Sequence, residues 1–216
     1  MRWLLQPALV VIVAGCGQAG ENSAAGGGGD PRAFATPYPD APGVAKAVFA
    51  GGCFWCMEPP FEKLAGVHEA VAGYAGGSGG RPSYKQVAAG RTDFVEAVEV
   101  AYDPSEISYR ELLDVFWRNI DPTQDDGQFA DRGAHYRTAI FVADPEQRAA
   151  AEASRRELAA SGRFERPLVT EIRAAGEFFP AENHHQDYYR KNPAHYDAYR
   201  RGSGRAGFIE RVWGGE

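Results

Sequence analysis

Val48-Phe49-Ala50-Gly51-Gly52-Cys53-Phe54-Trp55-Cys56-Met57-Glu58 joins three kinds of local structure in eleven residues. The apolar run ending at Ala50 predicts a buried strand, two glycines let the backbone turn sharply, and a helix is expected to begin at Phe54. Cys53 then stands at a helix start, where unpaired N–H groups and the positive end of the helix dipole favour a thiolate. Cys56 lies three residues on, on the same helical face, at an α-carbon separation compatible with a disulfide. One sulfur can attack and the other can resolve.

Outward from this stretch, Ala45 to Ala50 is the expected first strand and Phe54 to about Leu64 the first helix. Pro59 and Pro60 are expected near that helix's first turn, because prolines deeper inside clash with preceding carbonyls. Val67 to Tyr74 reads as a second strand stopped by Gly76-Gly77-Ser78-Gly79-Gly80, and Pro82 to Ala88 as one helical turn carrying Tyr84. Phe94 to Tyr102 predicts a third strand. Glu96 shares a face there with Val98, Val100 and Tyr102, which lines an acid up with the core side. Composition alone would instead leave Glu96 at a strand edge in water.

Ser108-Tyr109-Arg110-Glu111 has the spacing of a capping box and opens a helix through Leu112, Val115, Phe116 and Asn119. Asp121 to Tyr136 is a long polar loop, of a length usually functional or disordered, and it holds Asp131 and Tyr136. Thr138 to Ala143 is a fourth strand, and Asp144-Pro145 starts a helix that runs to Gly162. Pro167 to Ala174 alternates as a final, half-exposed strand; Glu182 to Lys191 suits a short helix, and Pro193 onward a wrapping tail. This succession predicts an α+β fold: a two-layer α/β sandwich of the ferredoxin-like plait kind, a mixed sheet with helices on its face, not a doubly wound parallel sheet.

The 216 residues, 44% of them hydrophobic, suit one ordinary domain plus a tail. A formal charge of -6, with Lys and Arg scattered, argues against a nucleic-acid surface. Three cysteines cannot all pair. Arg2 and the apolar run Leu4 to Val13 read as a short secretory signal, too brief to span a bilayer securely. Val13-Ala14-Gly15-Cys16 resembles the lipobox of bacterial lipoproteins, which implies cleavage before Cys16 and its lipidation; an ordinary secretory signal or a retained anchor is the plainer reading. Residues 1–15 are thus expected as signal peptide, 16–44 as a flexible lipid-anchored tether and 45–216 as the catalytic domain. The Gly, Ala, Ser and Pro of the tether cannot repay ordering entropy.

Cys53 and Cys56 lack the second pair a zinc ribbon needs, and Met57 stands where c-type haem attachment needs His. His184, His185 and His195 lack the acid spacing of a metalloprotease helix and read better as packing and hydrogen-bonding residues. A structural disulfide gains little from so short a loop, which leaves a redox pair as the better explanation. A thioredoxin-type disulfide oxidoreductase shares the strand, Cys-x-x-Cys and helix order. A tethered, non-enzymatic surface module with a structural disulfide is the other alternative.

Gly51-Gly52-Cys53-Phe54-Trp55-Cys56 is accompanied by Pro82-Ser83-Tyr84, Glu96-Ala97-Val98, Asp121-Pro122-Thr123, Gln128-Phe129-Ala130-Asp131-Arg132-Gly133, Tyr136-Arg137 and His185-Gln186-Asp187-Tyr188. In this order, over Ala45 to Gly214, the chain resembles the A-type peptide methionine sulfoxide reductases. The resemblance implies reduction of the S epimer of methionine sulfoxide, free or in oxidised proteins and peptides, with no bound cofactor or metal. It implies Cys53 as nucleophile, Glu96 as the acid, and Tyr84 and Tyr136 as hydrogen-bond donors to the sulfoxide oxygen, with Asp131 orienting them. Phe54 and Trp55 would wall the substrate methyl group, and Cys56 would condense with the Cys53 sulfenic acid. A thioredoxin-like external dithiol would then open the disulfide. Asp93 and Phe94 stand where relatives often carry Gly-His, and the carboxy-terminal resolving Cys of many relatives is missing. The branch with Cys-x-x-Cys at the site is therefore the match.

Overall fold

In the computed structural model, which describes residues 33–214, β1 (Ala45–Gly51) delivers the chain to the Gly51–Gly52 turn and α1 (Phe54–Glu62) carries it away. Gly52 sits at φ +83°, and a Cβ there would lie 2.6 Å from Cβ of Gln128 and 3.0 Å from Nη2 of Arg205. Only glycine fits that conformation and that space. There follow β2 (Val67–Ala75), α2 (Tyr84–Ala88), β3 (Val95–Tyr102) and α3 (Tyr109–Arg118). The Ser108–Glu111 capping box starts α3: each partner satisfies the other's unpaired backbone N–H.

The long loop holds β4 (Gly127–Gln128), β5 (Asp131–Arg132) and a 3-10 turn (Ala134–Tyr136). It is followed by β6 (Thr138–Val142), α4 (Pro145–Ala160), β7 (Glu171–Ala174), β8 (Phe179–Pro180), α5 (Tyr188–Lys191), α6 (Pro193–Gly202) and α7 (Arg205–Trp213). The main sheet has the order β7-β6-β1-β3-β2-β8, antiparallel except where β6 meets β7. Its four central strands, in the order β6-β1-β3-β2 with α1 and α3 as connections, form the expected two-layer α+β plait.

Phe49, Val98, Val100 and Tyr102 share the larger core cluster with Met57 and Phe61 of α1 and Leu112, Leu113 and Phe116 of α3. Val95, Ala97, Ala50, Ala139 and Phe141 make a smaller cluster on the opposite face. Glu96 is in register with Tyr74 of β2 and is only 1% exposed, so the alternative of a water-exposed strand edge is overturned.

Three expectations need correction. Pro59 and Pro60 lie inside α1, past its first turn, where they leave the Trp55 and Cys56 carbonyls without their helical N–H donors, and the helix ends two residues later at Glu62. Glu182 to Lys191 is a turn with helix only from Tyr188, and the tail from Pro193 forms two helices joined at Ser203-Gly204. Pro167 to Ala174 is strand only from Glu171, and it is not the last, because Phe179 and Pro180 pair with Tyr74 and Gly73.

The predicted signal peptide, the lipidation residue Cys16 and most of the tether lie outside the described residues. Residues 33–44, expected to continue the flexible tether, run along the domain. The Ala35 N–H donates to the Ala181 carbonyl at 2.9 Å, the Asn183 N–H donates to the Ala33 carbonyl at 2.7 Å, and Arg81 covers the Phe34 ring at 4.7 Å.

Candidate active site

The glycine turn places Cys53 at the N-cap of α1, where it is 5% exposed, and one helical turn brings Cys56 beside it. Burial pushes the Cys53 thiol well up, and its hydrogen bond to Cys56 and the charges of Cys56 and Glu96 push the same way. The hydrogen bond from Cys53 brings Cys56 down to about 7, against its own burial and with help from Arg205. The two sulfurs titrate as a pair, and at Cys53 desolvation opposes the helix-start effect, worth about 1 kcal/mol, that favours a thiolate.

Glu96 reaches the same place from β3. The Phe54 N–H donates to its Oε2 at 3.1 Å. Burial nevertheless raises the carboxyl to about 8, because one N–H does not replace the lost water, and the charges of Asp131 and Cys56 add to the shift. The side chain is therefore a neutral, proton-bearing acid at pH 7. Tyr84, from the start of α2, is raised to about 12 by burial first and then by the charges of Glu96 and Cys53. Tyr136, from the 3-10 turn, is raised by burial and the same two charges. Both phenols keep their protons and remain donors.

Asp131 on β5 accepts a hydrogen bond from the Tyr199 hydroxyl at 2.6 Å, and that hydroxyl is also within hydrogen-bonding reach of Cys53. Cys53, Cys56, Glu96, Tyr84, Tyr136 and Asp131 are thus brought together from α1, β3, α2 and the long loop. Tyr199, on α6, is a member that sequence reasoning missed, since nothing in the spacing of a polar tail marks it.

Phe54 is enclosed, its ring packed between Tyr74, Tyr84 and His185. Trp55 keeps part of its surface open and stacks on Tyr188 at 3.7 Å between centroids. Its indole N–H donates to Nδ1 of His185 at 3.2 Å, and burial holds that imidazole neutral, down to about 4. Adjacent His184 and His185 rings lie 4.0 Å apart in a turn. Glu182 also escaped sequence reading: it accepts from the Tyr74 hydroxyl at 2.9 Å and from the Tyr84 N–H at 3.0 Å, so it fixes where Tyr84 begins its helix. The α1 side of the site is tied to the carboxy-terminal segment by buried Glu58, which accepts the Asp187 N–H at 3.2 Å. Among the described residues no group of three or more His, Cys, Asp or Glu is arranged to hold a metal ion. A buried thiol pair beside a neutral carboxyl and several phenols can exchange two electrons and deliver a proton to an oxygen.

Residues 45–216 match the family model described as peptide methionine sulfoxide reductase. The chain is 51% identical over 172 residues to the peptide methionine sulfoxide reductase MsrA of Listeria innocua, covering 80% of this chain and 97% of that one. It is 51% identical over 168 residues to the enzyme of the same name from Bacillus subtilis, covering 78% and 95%. Among solved structures, methionine sulfoxide reductase A of Corynebacterium diphtheriae superposes with a TM-score of 0.62 at 36% identity, covering 71% of this chain and 77% of that one. Mxr1 from Saccharomyces cerevisiae in reduced form superposes with a TM-score of 0.63 at 32% identity, covering 72% and 89%.

Proposed function

This chain belongs to the peptide methionine sulfoxide reductase family, and from that premise we propose that it reduces the S epimer of methionine sulfoxide, free or in oxidised proteins and peptides, at Cys53. The observation that carries the reading is the convergence of a buried thiol pair on a carboxyl that is neutral at pH 7. Cys53 passes its proton along its hydrogen bond to Cys56 and attacks the sulfoxide sulfur. Glu96 gives its proton to the sulfoxide oxygen, with Tyr84 and Tyr136 donating hydrogen bonds to it and Asp131 orienting the polar network through Tyr199. The bond so formed between the two sulfurs breaks as the oxygen passes to Cys53: the substrate sulfur gains two electrons and leaves as methionine, and Cys53 loses two and becomes a sulfenic acid. Cys56 then attacks the Cys53 sulfur, the S–S bond forms as the S–O bond breaks, and the oxygen leaves as water.

An external dithiol of thioredoxin-like kind restores both thiols through a mixed disulfide. Trp55, fixed between Tyr188 and His185, and the edge of Phe54 form the apolar wall for the substrate methyl group. Turnover on separated sulfoxide epimers with dithiothreitol tests the reading: the S epimer is consumed, the R epimer is returned, and peptide mapping after one turnover without reductant finds Cys53 bonded to Cys56. Consumption of the R epimer alone, or of neither, overturns it.

The amino terminus is proposed to export the enzyme and anchor it to a membrane through lipid on Cys16. The mature protein is expected to begin at Cys16 and carry acyl chains. An intact mass that starts elsewhere, without them, refutes this.

A further inference from the structure

Arg205 heads the largest fully enclosed side chains in the domain, at 1% exposure, and stands at the first position of α7. Its Nη2 donates to the Gly51 carbonyl at 2.9 Å, and its Nη1 donates to the Asn119 carbonyl and faces Sδ of Met57 at 3.6 Å. The guanidinium lies over the Phe129 ring, 4.7 Å from its centroid. These partners satisfy N–H groups, but none carries a negative charge. Among the described residues, the carboxylates paired with arginine belong to Arg110, Arg132, Arg148, Arg166, Arg173 and Arg190. An enclosed cation without an anion costs several kcal/mol, and arginine cannot escape that cost by losing its proton.

Across the turn that Arg205 holds stands Cys56, on whose sulfur the Arg205 charge acts. Gly51 and Met57, both touching the guanidinium, flank the segment that carries the two sulfurs. The charged and titratable groups acting on Cys56 are Cys53, Arg205, Asp131 and Arg200, and Glu96 faces it as well; Arg205 is the foremost cation among them. Asp131 and Glu96 oppose a negative sulfur.

We propose that Arg205 is a positioning residue for the resolving step: bracing the Gly51–Gly52 turn from below, it is the buried counter-ion of the Cys56 sulfur. The inference rests on the reductase reading for the identity of that step. In it Cys56 gives up its proton and attacks the Cys53 sulfenic sulfur as the thiolate; the S–S bond forms, the S–O bond breaks, and the departing hydroxide takes up that proton and leaves as water. The oxidising equivalent passes from one sulfur to the pair, and no outside oxidant is consumed.

The test needs no sulfoxide. In the full-length reduced protein, alkylation of Cys56 by iodoacetamide is followed site by site from acid to alkaline pH, and the Cys53–Cys56 disulfide is equilibrated with dithiothreitol. Arg205→Gln keeps N–H donors for the carbonyls and removes the charge; it is expected to raise the Cys56 midpoint by about one pH unit. It is also expected to shift the equilibrium toward the disulfide by up to about tenfold, or about 30 mV for two electrons. Arg205→Lys keeps a charge but loses the planar fork that spans the two carbonyls, so it is expected to fall between Arg205→Gln and wild type in both measurements. Superimposable profiles for Arg205→Gln and wild type overturn the proposal. If circular dichroism shows that Arg205→Gln does not fold, Arg205→Met, uncharged and of similar length, is held to the same criterion. Failure of the reductase reading would appear separately, as wild-type protein that titrates as described and leaves sulfoxide untouched.

Discussion

Cys53→Ser is expected to leave no measurable turnover, while Cys56→Ser releases one methionine per protein molecule and stops. The difference follows from the order of bond changes. Without the Cys53 sulfur nothing attacks the sulfoxide, because a serine hydroxyl is far too weak an acid to pass its proton to the Cys56 sulfur. Without the Cys56 sulfur the first half of the reaction proceeds more slowly, its proton acceptor gone, and the sulfenic acid has no partner one helical turn away. Dimedone should label Cys53 in stalled Cys56→Ser, and a small thiol should restart it. Equal steady-state rates for the two variants with a thioredoxin-type donor would contradict the division of labour.

Glu96→Gln is expected to lower the single-turnover rate by roughly 10²- to 10⁴-fold, the usual contribution of a positioned general acid. The carboxyl is raised to about 8 from an ordinary 4.5, so the wild-type rate should hold through neutrality and fall as pH passes above about 8. The variant should lack that fall. The same shift has a stability counterpart. Between 4.5 and about 8 the unfolded chain has lost a proton that the folded chain keeps, so Glu96 makes stability decline as pH rises through that window. Glu96→Gln should therefore melt higher than wild type near pH 8, with a smaller difference below pH 5. Unchanged single-turnover rates at neutral pH would remove Glu96 from the mechanism.

Much of this site could be read before its geometry was known, where local pattern and tertiary role coincide. The strand, double glycine and Cys-x-x-Cys helix follow from apolar order and glycine freedom, and the alternation of β3 aims Glu96 at the core. The polar loop holding Asp131 and Tyr136 was marked by its length. Other features are properties of packing alone. The upward push on the Cys53 thiol could not be read, because a helix start is local whereas the enclosure of Cys53 comes from distant segments. The two tail helices escaped because each turns so little inward: Tyr196 is the buried residue of α6, and Arg205 and Ile209 are those of α7. No apolar period announces such helices, and a buried arginine runs against the composition rule that places arginine in water. Pro59 and Pro60 inside α1 likewise oppose local propensity.

The return of the final segment across α1 bears on how the protein comes into being. The sulfurs lie within the first dozen residues of the catalytic domain, whereas Tyr188, Tyr199 and Arg205 are synthesised long after them. Until α5 to α7 have been made, the growing polypeptide has nothing with which to close that side of the thiols. A copy clipped by a protease within α6 would keep both thiols and lose that cover, so the late helices of the domain are a condition of its chemistry.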